Sequence, residues 1–137
     1  MKGIVGCQSG ATSQKLPDER ESCVHKFVIH AHEGDVKGYV IPGFYPDGRV
    51  GEVFVKLAQA GSTVSGFIDA WAIQVSKRLQ MGAALESIIA DHKGAKFEPA
   101  GATETPGIRF CSSPLDYVVR YLERRHVQKR PLKDENP

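Results

Sequence analysis

Within Gly48–Gly82, GRVGEVFVKLAQAGSTVSGFIDAWAIQVSKRLQMG, the spacing of apolar residues changes from every second position to every third or fourth. Val53, Val55 and Leu57 alternate with Glu52, Phe54 and Lys56, the pattern of a strand with one buried face. Val64, Phe67, Ile68, Trp71, Ala72, Val75 and Leu79 then recur at helical spacing and mark an amphipathic helix from Ser62 to Leu79. Gly61 is the break between them. Ser62 or Thr63 suits the N-cap. Lys77 and Arg78 suit the negative end of the helix dipole, and Gly82 suits a terminator. A strand that runs this abruptly into a helix creates a packing core and presents a set of unpaired N–H groups at one place.

Upstream, residues 1–22 mix Gly, Ser, Gln and acids without periodicity and read as a flexible N-terminal arm, anchored at its end by LPDER. From Val24, Phe27, Ile29 and Ala31 alternate with Lys26, Val28 and His30, which makes a half-buried strand. HEGD turns the chain, and Gly38–Tyr45 is a second strand with Tyr39 and Ile41 on one side and Val40 and Phe44 on the other. Pro42 lacks a donor and implies an edge, a bulge or a break. Tyr45-Pro46-Asp47-Gly48 is a turn, and the strand described above follows it.

Downstream, Leu85, Ile88 and Ile89 define a short helix over Ala83–His92. Lys96–Ile108 is rich in Gly, Pro and Thr and reads as a loop. A last helix starts at Ser112, Ser113 or Pro114 and carries Leu115, Val118, Val119 and Leu122. Past Arg124 the chain is polar. The expected organisation is an arm (1–22), one domain (23–126) and a polar tail (127–137). The fold class is α+β: a three-stranded antiparallel meander, then a long helix and two shorter helices packed on one face. The other face is assigned Val28, Val40 and Phe44, and an apolar patch of that kind predicts a homo-oligomer joined through the sheet.

A chain of 137 residues is long enough for one core without staples. Cys7, Cys23 and Cys111 are odd in number and far apart, which fits a reducing compartment and a cytoplasmic location better than a disulfide framework. The first residues lack the apolar run of a secretory signal, and no stretch approaches the roughly 20 apolar residues of a membrane span. A net charge of +2 gives no argument for nucleic acid, which is not expected as a partner.

The favoured ligand site is the helix start at Gly61, Ser62 and Thr63, where free N–H groups and the dipole attract an anion such as a phosphate, with Lys56 as a partner. The competing reading is a plain N-cap, and the GK[ST] ending of a P-loop is missing. Arg109, Asp116 and Arg120 are secondary candidates. His25, His30 and His32 invite a metal, and His30 and His32 would share a strand face, but no third ligand is placed and no metal is expected. Asp69 reads as a polar contact and Trp71 as core. Cys111 precedes a helix start, a place that can lower a thiol pKa. Arg109, Arg120, Arg124, Arg125, Lys129, Arg130 and Lys133 make the C-terminal end basic and read as a solvated face. Without a nucleophile–base pair, neither an enzyme nor a cofactor is expected.

From about Leu16 to Leu122 the chain resembles a known family. LPDER, HKF, YPDGRVGEVFV, GSTVSGFIDA, KFEPAG and LDYVVRYL occur in the order and spacing of the TSCPD domain, the C-terminal accessory domain of adenosylcobalamin-dependent ribonucleotide reductases. VSKRLQMGAALE departs from the family's SLALQYGVPLE-like sequence. The barrel with the radical cysteine, the cobalamin site and the C-terminal redox pair of those enzymes have no counterpart here. The resemblance therefore implies a stand-alone, non-catalytic module linked to nucleotide metabolism, of a kind carried by phages or bacteria, with a reductase as partner. The alternative is a protein that binds or sequesters a nucleotide or cyclic nucleotide at the Gly61 helix start.

Overall fold

Alternating residues and short turns upstream of Gly61 build three antiparallel strands: β1 (His25–Ala31), β2 (Gly34–Phe44) and β3 (Val50–Ala58). The computed structural model describes residues 13–58 and 61–129. Helix α1 (Ser62–Gln80) follows, then α2 (Leu85–His92), strands β4 (Gly101–Thr105) and β5 (Ile108–Cys111), and α3 (Pro114–Leu122). A π-helical turn over Glu123–Val127 continues α3. The sheet has five strands in the order β3-β2-β1-β4-β5.

The α+β class therefore holds, while the meander is extended by a hairpin. The segment read as a loop contains β4 and β5, with β4 pairing along β1 (His30 opposite Ala102, Ala31 opposite Gly101). Gly101 is required there, because a Cβ would collide with the His30 carbonyl oxygen. At the β2–β3 turn Tyr45 accepts from Gly48 N–H at 2.8 Å, and Gly48 takes the left-handed φ of 94° that its sequence position predicts.

Register decides which face is which. Val40 lies opposite both His25 and Val55, so it belongs to the covered face and is fully buried. Its assignment to the open face is corrected, and half-buried Phe44 also packs against the core. The open face instead carries Lys26, Val28 and His30 of β1, Lys37, Tyr39 and Ile41 of β2, and Glu52, Phe54 and Lys56 of β3. The alternation of β2 is apolar on both sides, so its pattern does not choose a face. Phe27 settles the choice by packing its ring over Gly38, where any Cβ would strike it.

Helix α1 runs beside β3 rather than across the sheet. Ile68, Ala72, Val75 and Leu79 are buried, whereas Phe67, expected in the stripe, is 74% exposed. Two side chains of α1 reach the backbone of this edge strand: Gln80, whose Nε2 donates to Gly51 C=O at 3.0 Å, and Ser76. Ser76 Oγ accepts from Val53 N–H at 2.9 Å and donates to Val53 C=O at 3.2 Å, so both outward-facing groups of Val53 on the edge strand are satisfied. Pro42 faces Val53 across the ladder, at a place where β3 directs its polar groups away from β2. We expect Ser76→Ala to lower stability by about 1–2 kcal/mol in urea unfolding with an unchanged m-value.

Residues 13–22, read as part of the arm, are docked on the domain. Gln14 N–H donates to Gln80 C=O at 2.7 Å, Leu16 is buried, and Phe44 N–H donates to Glu21 C=O at 2.9 Å. Arg20 of LPDER grips Glu52 with two bonds, Nε to Oε2 at 2.7 Å and Nη2 to Oε1 at 2.8 Å. Residues 1–12 of the arm and 130–137 of the tail lie outside the described residues. At the other end, the polar stretch past Arg124 starts against the domain, with Val127, the first residue assigned to the tail, packed on the core.

Candidate functional site

The helix start at Gly61 has the open geometry that the sequence implies and the wrong charge around it. Gly61 itself is the N-cap, with extended backbone and no side-chain cap bond, so Ser62 and Thr63 are the first helical residues. The cleft at this end, about 260 Å³, is lined by Glu33, Asp35 and Glu98 together with Gly61 and Val64. Three carboxylates oppose a phosphate more strongly than one helix end attracts it, since the dipole amounts to about half a charge. Lys56 does not turn toward Gly61; its Nζ lies 3.5 Å from Asp69 Oδ1.

The secondary candidates are partly joined, in a structural role. Asp116 is 1% exposed and accepts from Gly94 N–H (2.7 Å) and Ser112 N–H (3.0 Å) and from Arg120 Nε (2.9 Å). Burial alone would raise its pKa, but the Ser112 and Gly94 N–H bonds and Arg120 hold it below the ordinary carboxylate value. Asp116 N–H in turn donates to Ser113 Oγ at 2.9 Å, which makes Ser113 the N-cap ahead of Pro114. Arg109 is elsewhere, bonded to Glu104 C=O at 3.2 Å. Arg120 is engaged with Asp116 and Arg124 is buried, so these two depart from the solvated basic face expected of the C-terminal end, of which Arg130 and Lys133 lie outside the described residues.

The three histidines are not brought together. His32 is exposed in the β1–β2 turn. His30 is on the open face between Asp35 (2.9 Å) and Glu104 (3.2 Å), which raise its pKa, the Asp35 hydrogen bond foremost. His25 faces the core. Its ring stacks on Tyr121 at 4.3 Å, and its Nε2 is 2.7 Å from Tyr117 Oη, which is also 2.7 Å from Thr105 Oγ1. Burial, with the Arg125 charge adding to it, lowers the His25 pKa to about 4. This ring stack is invisible to the sequence reading because Tyr117 and Tyr121 interrupt the apolar stripe of α3 and meet β1 only across the core. Their i, i+4 spacing on α3 is the one local sign of it.

Cys111 is fully buried, and burial lifts its thiol to about 11, the opposite of an activated helix-start cysteine. Trp71 is half-buried and donates its indole N–H to His92 Nε2 at 3.1 Å, while His92 Nδ1 is 2.9 Å from Ile88 C=O. Among the described residues no group of three or more His, Cys, Asp or Glu is arranged to hold a metal ion, and no helix is long and apolar enough to cross a membrane.

The chain is similar to parts of much longer enzymes. Vitamin B12-dependent ribonucleotide reductases match over most of the chain: that of Rhodopirellula baltica is 42% identical over 109 residues, 80% of this chain. That of Streptantibioticus cattleyicolor is 38% identical over the same share, and that of Bradyrhizobium diazoefficiens is 34% identical over 90% of the chain. The chain spans only 10%, 18% and 10% of those three reductases, respectively. No solved structure matches significantly. The profile of the TSCPD domain matches residues 10–126, which takes in the LPDER anchor, the sheet and all three helices, and the chain belongs to the TSCPD domain family.

Proposed function

We propose that this chain is a non-catalytic module that serves nucleotide metabolism by docking on a ribonucleotide reductase. The observation that carries the reading is the match of nearly the whole chain to about a tenth of a B12-dependent reductase. The chemistry of the fold supports it. The buried Cys111 thiol is pushed up, Asp116 is spent on backbone N–H groups, and His25 is held neutral in a ring stack. Each of these groups stabilises the fold rather than standing ready to react. The test mixes the purified chain with a B12-dependent reductase that lacks its own matching segment. A complex on size-exclusion chromatography is the expected result, with no ribonucleotide turnover by the chain alone. Separate elution of the two proteins, or turnover by the chain alone, overturns the reading.

A further inference from the structure

The open face of the sheet gathers charge and aromatic surface that are dispersed in the sequence. Tyr39 stands at the centre of a row, with Lys26 opposite it on β1 and Lys56 opposite it on β3. Lys37 lies diagonal to Lys26, and Phe54 lies diagonal to Tyr39, one pair further along. Directly opposed and diagonal residues on one sheet face are close enough for long side chains to meet. Lys26 and Lys37 form no ion pair with any described residue, and Lys56 has only the 3.5 Å contact with Asp69. Of the carboxylates nearby, Glu52 is paired with Arg20, while Asp35 and Glu104 share the one imidazole of His30 at the far end of β1 from Lys26.

Aromatic surface reappears at the other side of the sheet. Phe54 is 47% exposed on β3, and Phe110, on the same face by its pairing with Ala102 and His30, is 62% exposed on β5. Four inter-strand steps separate β3 from β5, about 19 Å at the usual spacing. That span is too wide for one mononucleotide and suits a polymer of flat rings joined by anionic links.

We propose that this face binds single-stranded nucleic acid, with Tyr39, Phe54 and Phe110 stacking bases and Lys26, Lys37 and Lys56 meeting phosphates. Stacking platforms with flanking cations are the general means of holding unpaired strands. A second copy is the less suitable occupant, because a two-fold contact centred on Tyr39 would set lysines against lysines. Net charge gives no sign of such a surface, because its residues lie on separate strands and meet only in the fold.

Fluorescence anisotropy of the full chain with a labelled 20-mer of deoxythymidylate at low salt tests it. Binding that weakens with added salt is expected, with the matching duplex bound more weakly. Phe54→Ala should weaken binding by roughly 5- to 100-fold, and the Lys26→Glu/Lys37→Glu double variant should weaken it further and flatten the salt dependence. These side chains are exposed, so circular dichroism should show an unchanged fold. No binding at low salt overturns the proposal. So does binding that survives both variants, which would place it on the basic C-terminal end, or a homodimer that either variant dissociates.

Discussion

Replacing Asp116 with alanine should cost about 3–5 kcal/mol of folding stability. The carboxylate is buried, and its two oxygens take the Gly94 N–H after α2, the Ser112 N–H after β5 and the Arg120 guanidinium on α3. Alanine leaves two backbone N–H groups without an acceptor in a place that water does not reach freely. Arg120, 40% exposed in its side chain, can turn to solvent and adds less. For a chain of this size the whole stability is on the order of 7–20 kcal/mol, so the loss is a large part of it. Asparagine should rescue little. Oδ1 faces Gly94 N–H and Oδ2 faces Ser112 N–H, so either orientation of an amide points its NH₂ at a donor. Urea unfolding of both variants measures the effect. If Asp116→Ala unfolds within about 0.5 kcal/mol of the parent, the carboxylate is free for a ligand, as its place among the sequence candidates implied.

Asp116 also shows where sequence reading stops. Its position near the start of α3 was legible, as were Ser113 and Pro114 as the start signal and the extent of α1, which ends one residue beyond Leu79. These features are written in spacing and capping chemistry within a few residues. The partners of Asp116 come from two other segments, and no local pattern joins Gly94, Ser112 and Arg120. The β4–β5 hairpin was missed for a different reason. Its strands have five and four residues and contain Gly, Thr and Glu, so composition outweighed the turn signal at Pro106-Gly107. Val40 went to the wrong face because β2 is apolar on both sides, and only pairing with β1 and β3 fixes its phase. The open-face lysines were legible as residues and illegible as a cluster for the same reason.

Acid should destabilise the domain in the window between about pH 6.5 and pH 4, before most carboxylates titrate. His25 and His126 both have folded-state values of about 4, against an ordinary value of 6.5. Burial is the main cause for each. Arg125 adds to both, and Lys129 adds to His126. A lowered value means that the unfolded chain takes up the proton first. Stability from these groups is therefore complete above pH 6.5, falls as pH drops toward 4, and is fully lost below that. Both rings are partly exposed, so screening reduces the full linkage value, leaving about 1.5–2 kcal/mol for each. His30 works in the opposite sense. Its raised value means that pairing with Asp35 and Glu104 stabilises at low pH and fades as pH rises through the folded pKa, and its exposure keeps that contribution small. Asp116, with its lowered value, adds to the loss only below the ordinary carboxylate range. The check is the urea midpoint at several values between pH 7.5 and 4.5, repeated on His25→Phe. Phenylalanine keeps a ring against Tyr121 and leaves Tyr117 its bond to Thr105, while removing one titrating group. The slope with pH should then fall by about half. A midpoint that stays flat from pH 7 to pH 5 in the parent would mean that the ring stack accepts a charged imidazole, and that the Tyr117–His25–Tyr121 contact is looser than its 4.3 Å stacking and 2.7 Å hydrogen bond imply.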